Sequence, residues 1–531
     1  MVNSHKKYHL LLDGTFLIVA GFFLFARLGH YALWDDEALT ALASRGILES
    51  GDTRAINGHN IFAYRSGLLL NNLCDRSTPP LTSYLVAPSI WLFGDTSFAA
   101  RFPCAILGMA LAVLVVFFLG KLKVTNIQRL TWYLAISGNI SLFLFLRQSR
   151  YYAPSILLVV LILLFYFFWN RKENKNLIWT IILFGALFSA NYMACLALFV
   201  ALAADYLIWK RKTTPLPLKA VLPWIVGSLS FCFLISRVWN PFQTGFGLYA
   251  QENSWKERLI LFFWNWRDAA DCQFSTAGLL LAGLFVGVLK NDPWLKRGWA
   301  ILFTFTAVIT SVSPQLVAGA SVADVRYMAP MIPLGIALSV RSFLLGFSPR
   351  FLPALILGLS LFWTNLGSGA FLGIRPLRCL PWEFLQELIT PPPEPYSVAA
   401  QWISNHAPPG ATVWVLPDYA CYPLMFHAPN GIYAWQLMPE QRQEEQFKNL
   451  PDIHFQGLVP PDFIVVFGPS VEQVRQLIGQ WSMQGLRYQE VTRLMTFWKD
   501  LYRPELFWRT FKPIEKFDPN TEAIYIFQRQ P

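Results

Sequence analysis

The chain has 531 residues, of which 54% are hydrophobic and 14% charged, where roughly 25% charged is usual for a soluble domain. With a positive mean hydropathy, that composition excludes an ordinary soluble globular protein. The net charge of +11 would suit a nucleic-acid binder, but the basic residues stand in short clusters between apolar runs: His5-Lys6-Lys7, Lys121 and Lys123, Arg171-Lys172 with Lys175, Lys210-Arg211-Lys212, and Lys296-Arg297. This is the pattern of cytoplasmic loops, so nucleic acid is excluded as a partner and membrane lipids are expected.

The first apolar run, 10–28, follows a short basic stretch and lacks a small-residue cleavage site, which predicts a retained span rather than a signal peptide. Further runs lie at 102–120, 128–146, 153–169, 177–192, 193–209, 218–237, 273–290, 298–318, 328–346 and 351–371. The expected fold class is therefore a polytopic α-helical membrane protein with about 11 transmembrane helices. The run at 80–93, interrupted by Pro88, is too short to cross. Treated as a juxtamembrane helix within one long outer loop, 29–101, it leaves every basic cluster cytoplasmic. Counted as a span, it would put Lys121 and Lys123 outside, against the charge rule. An odd number of spans then leaves the C-terminal region outside as well.

Composition changes near Gly373. Residues 372–395, which include Pro391-Pro392-Pro393 and Pro395, read as a linker after a transmembrane module over 1–371. Beyond it, Thr412-Val413-Trp414-Val415-Leu416, Phe463-Ile464-Val465-Val466-Phe467 and Ala523-Ile524-Tyr525-Ile526-Phe527 predict strands, and residues 471–481 a helix. Together they predict an extracytoplasmic α/β domain over 396–531. There is no internal repeat, Gly-rich phosphate loop or nucleotide-binding fingerprint. The seven cysteines show no CxxC spacing, though Cys379 and Cys421 could bridge if the tail is extracytoplasmic. The histidines are scattered, so no metal site is readable, and a requirement for a divalent metal stays open.

Under this topology, charge collects on the outer face. Asp35-Asp36-Glu37 follows the first span, and Asp75-Arg76-Ser77-Thr78-Pro79-Pro80-Leu81 enters the short helix. Phe98-Ala99-Ala100-Arg101-Phe102-Pro103 opens the second span, Arg147-Gln148-Ser149-Arg150-Tyr151-Tyr152 joins the third and fourth, and Asp324-Val325-Arg326-Tyr327 opens the tenth. Interfacial carboxylates are costly and tend to be functional, and Arg binds phosphate through a planar fork. Blander readings stand beside these. The Asp residues suit a helix N-cap, and single arginines snorkel or form surface ion pairs. The aromatic residues Trp239, Phe242, Phe246, Tyr249 and Trp255 fit an interfacial belt as well as a sugar or lipid groove.

The succession Asp36-Glu37-Ala38, Pro79-Pro80-Leu81, Leu92-Phe93-Gly94, Ala100-Arg101-Phe102-Pro103, Gly120-Lys121, Arg150-Tyr151 and Arg326-Tyr327 resembles the polytopic GT-C glycosyltransferases. It is most similar to the family of protein O-mannosyltransferases and aminoarabinose-lipid A transferases, over residues 10–350. The resemblance implies an inverting enzyme of the cytoplasmic (inner) membrane. It would move a sugar from a polyprenyl-phosphate carrier to a protein, lipid or glycan acceptor on the extracytoplasmic side. By match to the family pair, Asp36 is the catalytic base and Glu37 its neighbour; Asp35 is an extra carboxylate that leaves the register open by one. Arg76, Arg101, Arg147, Arg150, Tyr151, Arg326 and Tyr327 are the implied phosphate- or substrate-binding residues. Some relatives carry Lys directly before the Pro pair, where this chain has Thr78, so Arg76 would have to reach from two residues earlier. A positioned carboxylate would take the acceptor proton, and arginines would stabilise the departing phosphate. The competing readings are a transporter, which would show repeated halves and mid-membrane charges, and a non-catalytic lipid-binding membrane protein.

Overall fold

The computed structural model describes residues 2–170, 174–241, 253–272, 290–317, 323–346, 350–356, 379–391, 393–496 and 523–531. The chain divides into two compact units. One is built from residues 1–26 and 104–389, the other from residues 27–103 and the described residues from Thr390 onward. The expected outer loop, 29–101, thus folds together with the C-terminal residues.

In chain order, α1 (Val2–Phe25) belongs to the first unit. The second unit then supplies α2 (Asp35–Ser50), the hairpins β1–β2 (Ile56–Asn57, Asn60–Ile61) and β3–β4 (Leu70–Asn71, Cys74–Asp75), and α3 (Leu81–Phe93). The division falls inside α4 (Ser97–Lys121), after Pro103. The first unit continues through α5 (Asn126–Ser137), α6 (Ile140–Arg147), α7 (Tyr152–Phe168), α8 (Lys175–Ala190), α9 (Tyr192–Ile208), α10 (Leu218–Val238), α11 (Trp255–Cys272), α12 (Pro293–Val312), α13 (Ile332–Gly346) and α14 (Leu380–Ile389).

Among the described residues, five helices are long and apolar enough to cross a membrane, and the pair α5–α6, bent by 58°, would make a sixth. α7, α8 and α9 are shorter apolar helices. The two expected runs at 177–192 and 193–209 separate at Asn191, whose side-chain oxygen accepts the Ala194 N–H at 3.0 Å and so starts α9. Residues 273–289 and 357–371, most of two expected spans, lie outside the described residues, as do Phe242, Phe246 and Tyr249. Two helices depart from the expected pattern. α11 fills what reads in sequence as loop, because Lys256, Glu257, Arg258, Arg267 and Asp268 interrupt its hydropathy without interrupting its helix. α14 lies within the expected linker, where Phe384 and Leu388 are buried and the Phe384 ring lies 5.9 Å from that of Phe23.

The second unit holds α15 (Pro395–His406), β5 (Thr412–Leu416), α16 (Cys421–His427), β6 (Ile432–Tyr433), β7 (Phe463–Phe467), α17 (Val471–Met483), β8 (Tyr488–Met495) and β9 (Ala523–Arg529). The sheet order is β6-β5-β7-β9-β8, with β6, β5 and β7 parallel and β9 antiparallel to both its neighbours. β7 is buried at every position, as its unbroken apolar run requires of a central strand. β8 was not legible as an apolar run because it alternates half-buried and exposed residues.

One core joins this sheet to α2 and α3. Val413, Val415 and Phe426 cluster with Leu39, Leu42, Val86 and Ile90, and burying each Leu contributes about 2 kcal/mol. α2 ends at Gly51, whose φ of 79° lets its N–H close back on the Ile47 carbonyl at 2.8 Å. α3 turns Thr82, Ser83 and Ser89 inward and leaves Trp91 and Leu92 exposed. That is the reverse of a soluble helix and suits apolar surroundings.

Candidate active site

α2 begins at Asp35 with Trp34 as its N-cap (φ −81°, ψ 171°) and without a side-chain cap bond. The three carboxylates therefore occupy the first helical turn, not the cap itself. Successive residues on a helix point about 100° apart, and the helix N-terminus stabilises negative charge at all three. Asp35 and Asp36 are half-buried, whereas Glu37 is wholly buried.

Glu37 pairs with Arg101: Nη2 lies 2.6 Å from Oε2 and Nε 2.9 Å from Oε1. Nη1 donates to the carbonyls of Leu28 (3.2 Å) and Tyr31 (2.9 Å), and Nη2 also donates to that of Ala32 (2.8 Å). These bonds engage every N–H of the guanidinium fork. Arg101, expected to hold phosphate, instead ties the approach to α2 onto α4 and neutralises Glu37. Gly29 lets the two come together, since a Cβ there would stand 2.8 Å from Phe98 Cβ. From the opposite side, the N–H of Ala32 donates to Ser397 Oγ (3.2 Å) and that of Leu33 to His427 Nε2 (3.0 Å).

Arg76 is also engaged. It forms a bidentate pair with Asp52 (2.6 Å and 2.6 Å) and donates to Thr53 Oγ1 at 2.9 Å. The Arg76 guanidinium holds the Asp52 carboxyl down to about 2. Asp75 closes a local turn, accepting from the Ser77 N–H and hydroxyl at 3.0 Å each.

The remaining arginines lie in the first unit. Arg147, 1% exposed, donates to the carbonyls of Phe23 (3.0 Å) and Ala26 (2.7 Å), where α1 ends. This is the part of a cation closing a helix C-terminus. Arg150 is buried, with its guanidinium 5.0 Å from the Tyr151 ring, and its carbonyl accepts from Cys104 Sγ. Arg326 pairs with Asp324 at 2.8 Å and lies 5.4 Å from the Tyr327 ring. Asp268, fully buried, accepts the Ala323 N–H at 2.6 Å and so anchors the stretch of chain that carries Arg326.

Sequence reasoning missed Asp52, Thr53, Asp268, Ser397 and His427. Ser397 and His427 act 365 and 394 residues away from their partners, and no local pattern marks such contacts. Of the aromatic group, Trp239 is buried at the end of α10 and Trp255 opens α11, 72% exposed. Cys379, just before α14, lies in the first unit and Cys421, which opens α16, in the second. Among the described residues, no group of three or more His, Cys, Asp or Glu could hold a metal ion.

Residues 77–239 match the family model of the dolichyl-phosphate-mannose-protein mannosyltransferases. No curated protein matches the chain in sequence. Among solved structures, the chain is similar to ArnT from Cupriavidus metallidurans bound to undecaprenyl phosphate, at 13% identity and a TM-score of 0.56, with 98% of each chain covered. It is similar to the same protein in the apo state at 14% identity and a TM-score of 0.57, covering 99% of this chain and 98% of that one. The matched segment contains the Pro79-Pro80, Arg101 and Arg150-Tyr151 motifs, and the nearly full-length structural likeness agrees with it: the chain has the fold of the GT-C glycosyltransferases.

Proposed function

We propose that this protein is an inverting glycosyltransferase of the cytoplasmic membrane that moves a sugar from a polyprenyl-phosphate carrier to an acceptor hydroxyl on the extracytoplasmic side. The observation that carries the reading is the buried Glu37–Arg101 pair in the first turn of α2. Glu37 is spent on Arg101, and the half-buried Asp36 beside it is the general base. Asp36 takes the hydroxyl proton as the oxygen attacks the anomeric carbon. The bond from that carbon to the phosphate oxygen breaks, and the lipid phosphate leaves with the electron pair. The motif resemblance supports Arg150 and Arg326, with Tyr151 and Tyr327, as the residues that receive that charge. ArnT, which shares the fold, binds undecaprenyl phosphate, and that supports a polyprenyl-phosphate donor here. The basic clusters support cytoplasmic loops, with the acidic turn and the α/β part opposite.

The test is transfer from radiolabelled polyprenyl-phosphate sugars to lipid, peptide and glycan acceptors by purified protein. Turnover that D36N abolishes and D35N leaves largely intact supports the reading. The opposite pattern moves the base to Asp35. Binding without turnover by the wild-type protein makes it a lipid-binding protein.

A further inference from the structure

The segment 26–34 joins α1 to α2 through a turn at 26–29, and residues 32–34 just before α2 have no regular structure. Its buried backbone groups need partners from elsewhere. Arg101 satisfies the carbonyls of Leu28, Tyr31 and Ala32. The N–H groups of Ala32 and Leu33 are satisfied from the C-terminal part of the same unit. Glu394 caps α15 through the N–H groups of Tyr396 (3.0 Å) and Ser397 (2.7 Å), which sets Ser397 Oγ against Ala32. His427, the last residue of α16, accepts from Leu33 at 3.0 Å, with Ser97 Oγ 3.4 Å from the same nitrogen. Arg45 of α2 holds the adjacent Phe426, donating to its carbonyl at 3.0 Å with the guanidinium 4.0 Å from the ring.

We infer that His427, with Ser397, is a positioning residue of the transfer reaction: its lone pair holds Leu33, one residue before the helix cap, and thereby sets where Asp36 stands. The inference rests on the proposed function for the reaction it serves, but the hydrogen bond itself does not. Acting as acceptor at Nε2 puts the ring proton on Nδ1, so His427 works in its neutral form. Desolvation, with Arg101 and Arg45 nearby, holds the ring down to about 3 and so keeps the lone pair available. The α/β part is then more than an appendage, because it supplies two of the bonds that fix the acidic turn.

Two variants of the full-length protein test this. H427L keeps bulk and removes the acceptor, whereas the side-chain oxygen of H427Q reaches about where Nε2 stands. H427L is expected to lower kcat by about ten- to a hundredfold, the scale of a small misplacement, with the donor KM unchanged, and H427Q to recover most of it. Amide exchange over residues 28–37 should speed up in H427L and return in H427Q. Wild-type kcat in H427L, or H427Q no better than H427L, overturns the positioning role. Should the wild-type protein turn over no polyprenyl-phosphate sugar, the transfer reading falls, and exchange alone decides the contact: unchanged exchange in H427L overturns it, faster exchange supports it.

Discussion

Arg101 and Arg147 are almost equally buried, at 2% and 1% exposed, yet they answer different charges. Arg101, in the unit that carries the acidic turn, meets a full carboxylate at 2.6 Å together with three carbonyls. Arg147, in the unit that carries most of the apolar helices, meets the partial charges of two carbonyls where α1 ends. Both sit in the sequence where a phosphate ligand is expected. A buried arginine therefore identifies a place where negative charge must be met, without saying whether the fold or a ligand supplies it.

The largest effect expected from this contrast is on folding. R101K leaves three donors in place of a planar fork, and E37Q leaves the guanidinium without its counter-charge. Breaking a buried pair from one side costs about 3–5 kcal/mol, so both variants should unfold at markedly lower temperature, or fail to accumulate, before any kinetic effect is measurable. A stable, fully folded R101K would show that a point charge is enough to meet Glu37 and the three carbonyls.

Next comes D36N, on the neighbouring carboxylate. It should leave the melting temperature nearly unchanged and lower transfer by a factor on the order of 10² or more, with donor binding retained. Glu37 and Asp36 are adjacent, yet substituting one should read out in stability and the other in turnover. If D36N instead destabilised the protein as severely as E37Q, the division of labour in that turn would be lost.

A smaller effect follows from His427. Its folded value near 3 lies below the ordinary 6.5, so the unfolded chain takes up a proton before the folded one does. That contribution to stability is present above about pH 6.5 and is lost as pH falls toward 3, by up to about 2 kcal/mol between pH 6.5 and 5. Thermal unfolding in detergent should show that loss in the wild-type protein, and H427Q should flatten it. Glu394, raised chiefly by burial, acts with the opposite sign in both proteins, so the difference between them isolates His427.

The fold was legible where physics is local. Continuous apolar runs marked β5 and β7 to the residue, and the apolar stretches marked most of the described membrane helices. α11 was hidden because charged residues on a helix lower its hydropathy without breaking it. The acidic turn stood out in the sequence as a candidate site, since it sets three carboxylates side by side. Its supports were not: Ser397 and His427 are ordinary residues whose meaning lies in contacts with distant parts of the chain.

The smallest effects should fall within the first unit and sharpen the comparison between Arg147 and its neighbours. If Arg150 and Arg326 hold the donor phosphate, Lys in place of either replaces a fork by a point charge. A charge-assisted hydrogen bond is worth about 1.5–3 kcal/mol, so R150K and R326K should each lose about tenfold or more in kcat/KM for the donor. R147K should behave differently. An ammonium can also donate to carbonyls at a helix end, so the change should cost about 1 kcal/mol of stability or less and leave kcat/KM alone. Equal kinetic losses in all three variants would mean that Arg147 also meets the substrate, and that closing α1 is only part of what it does.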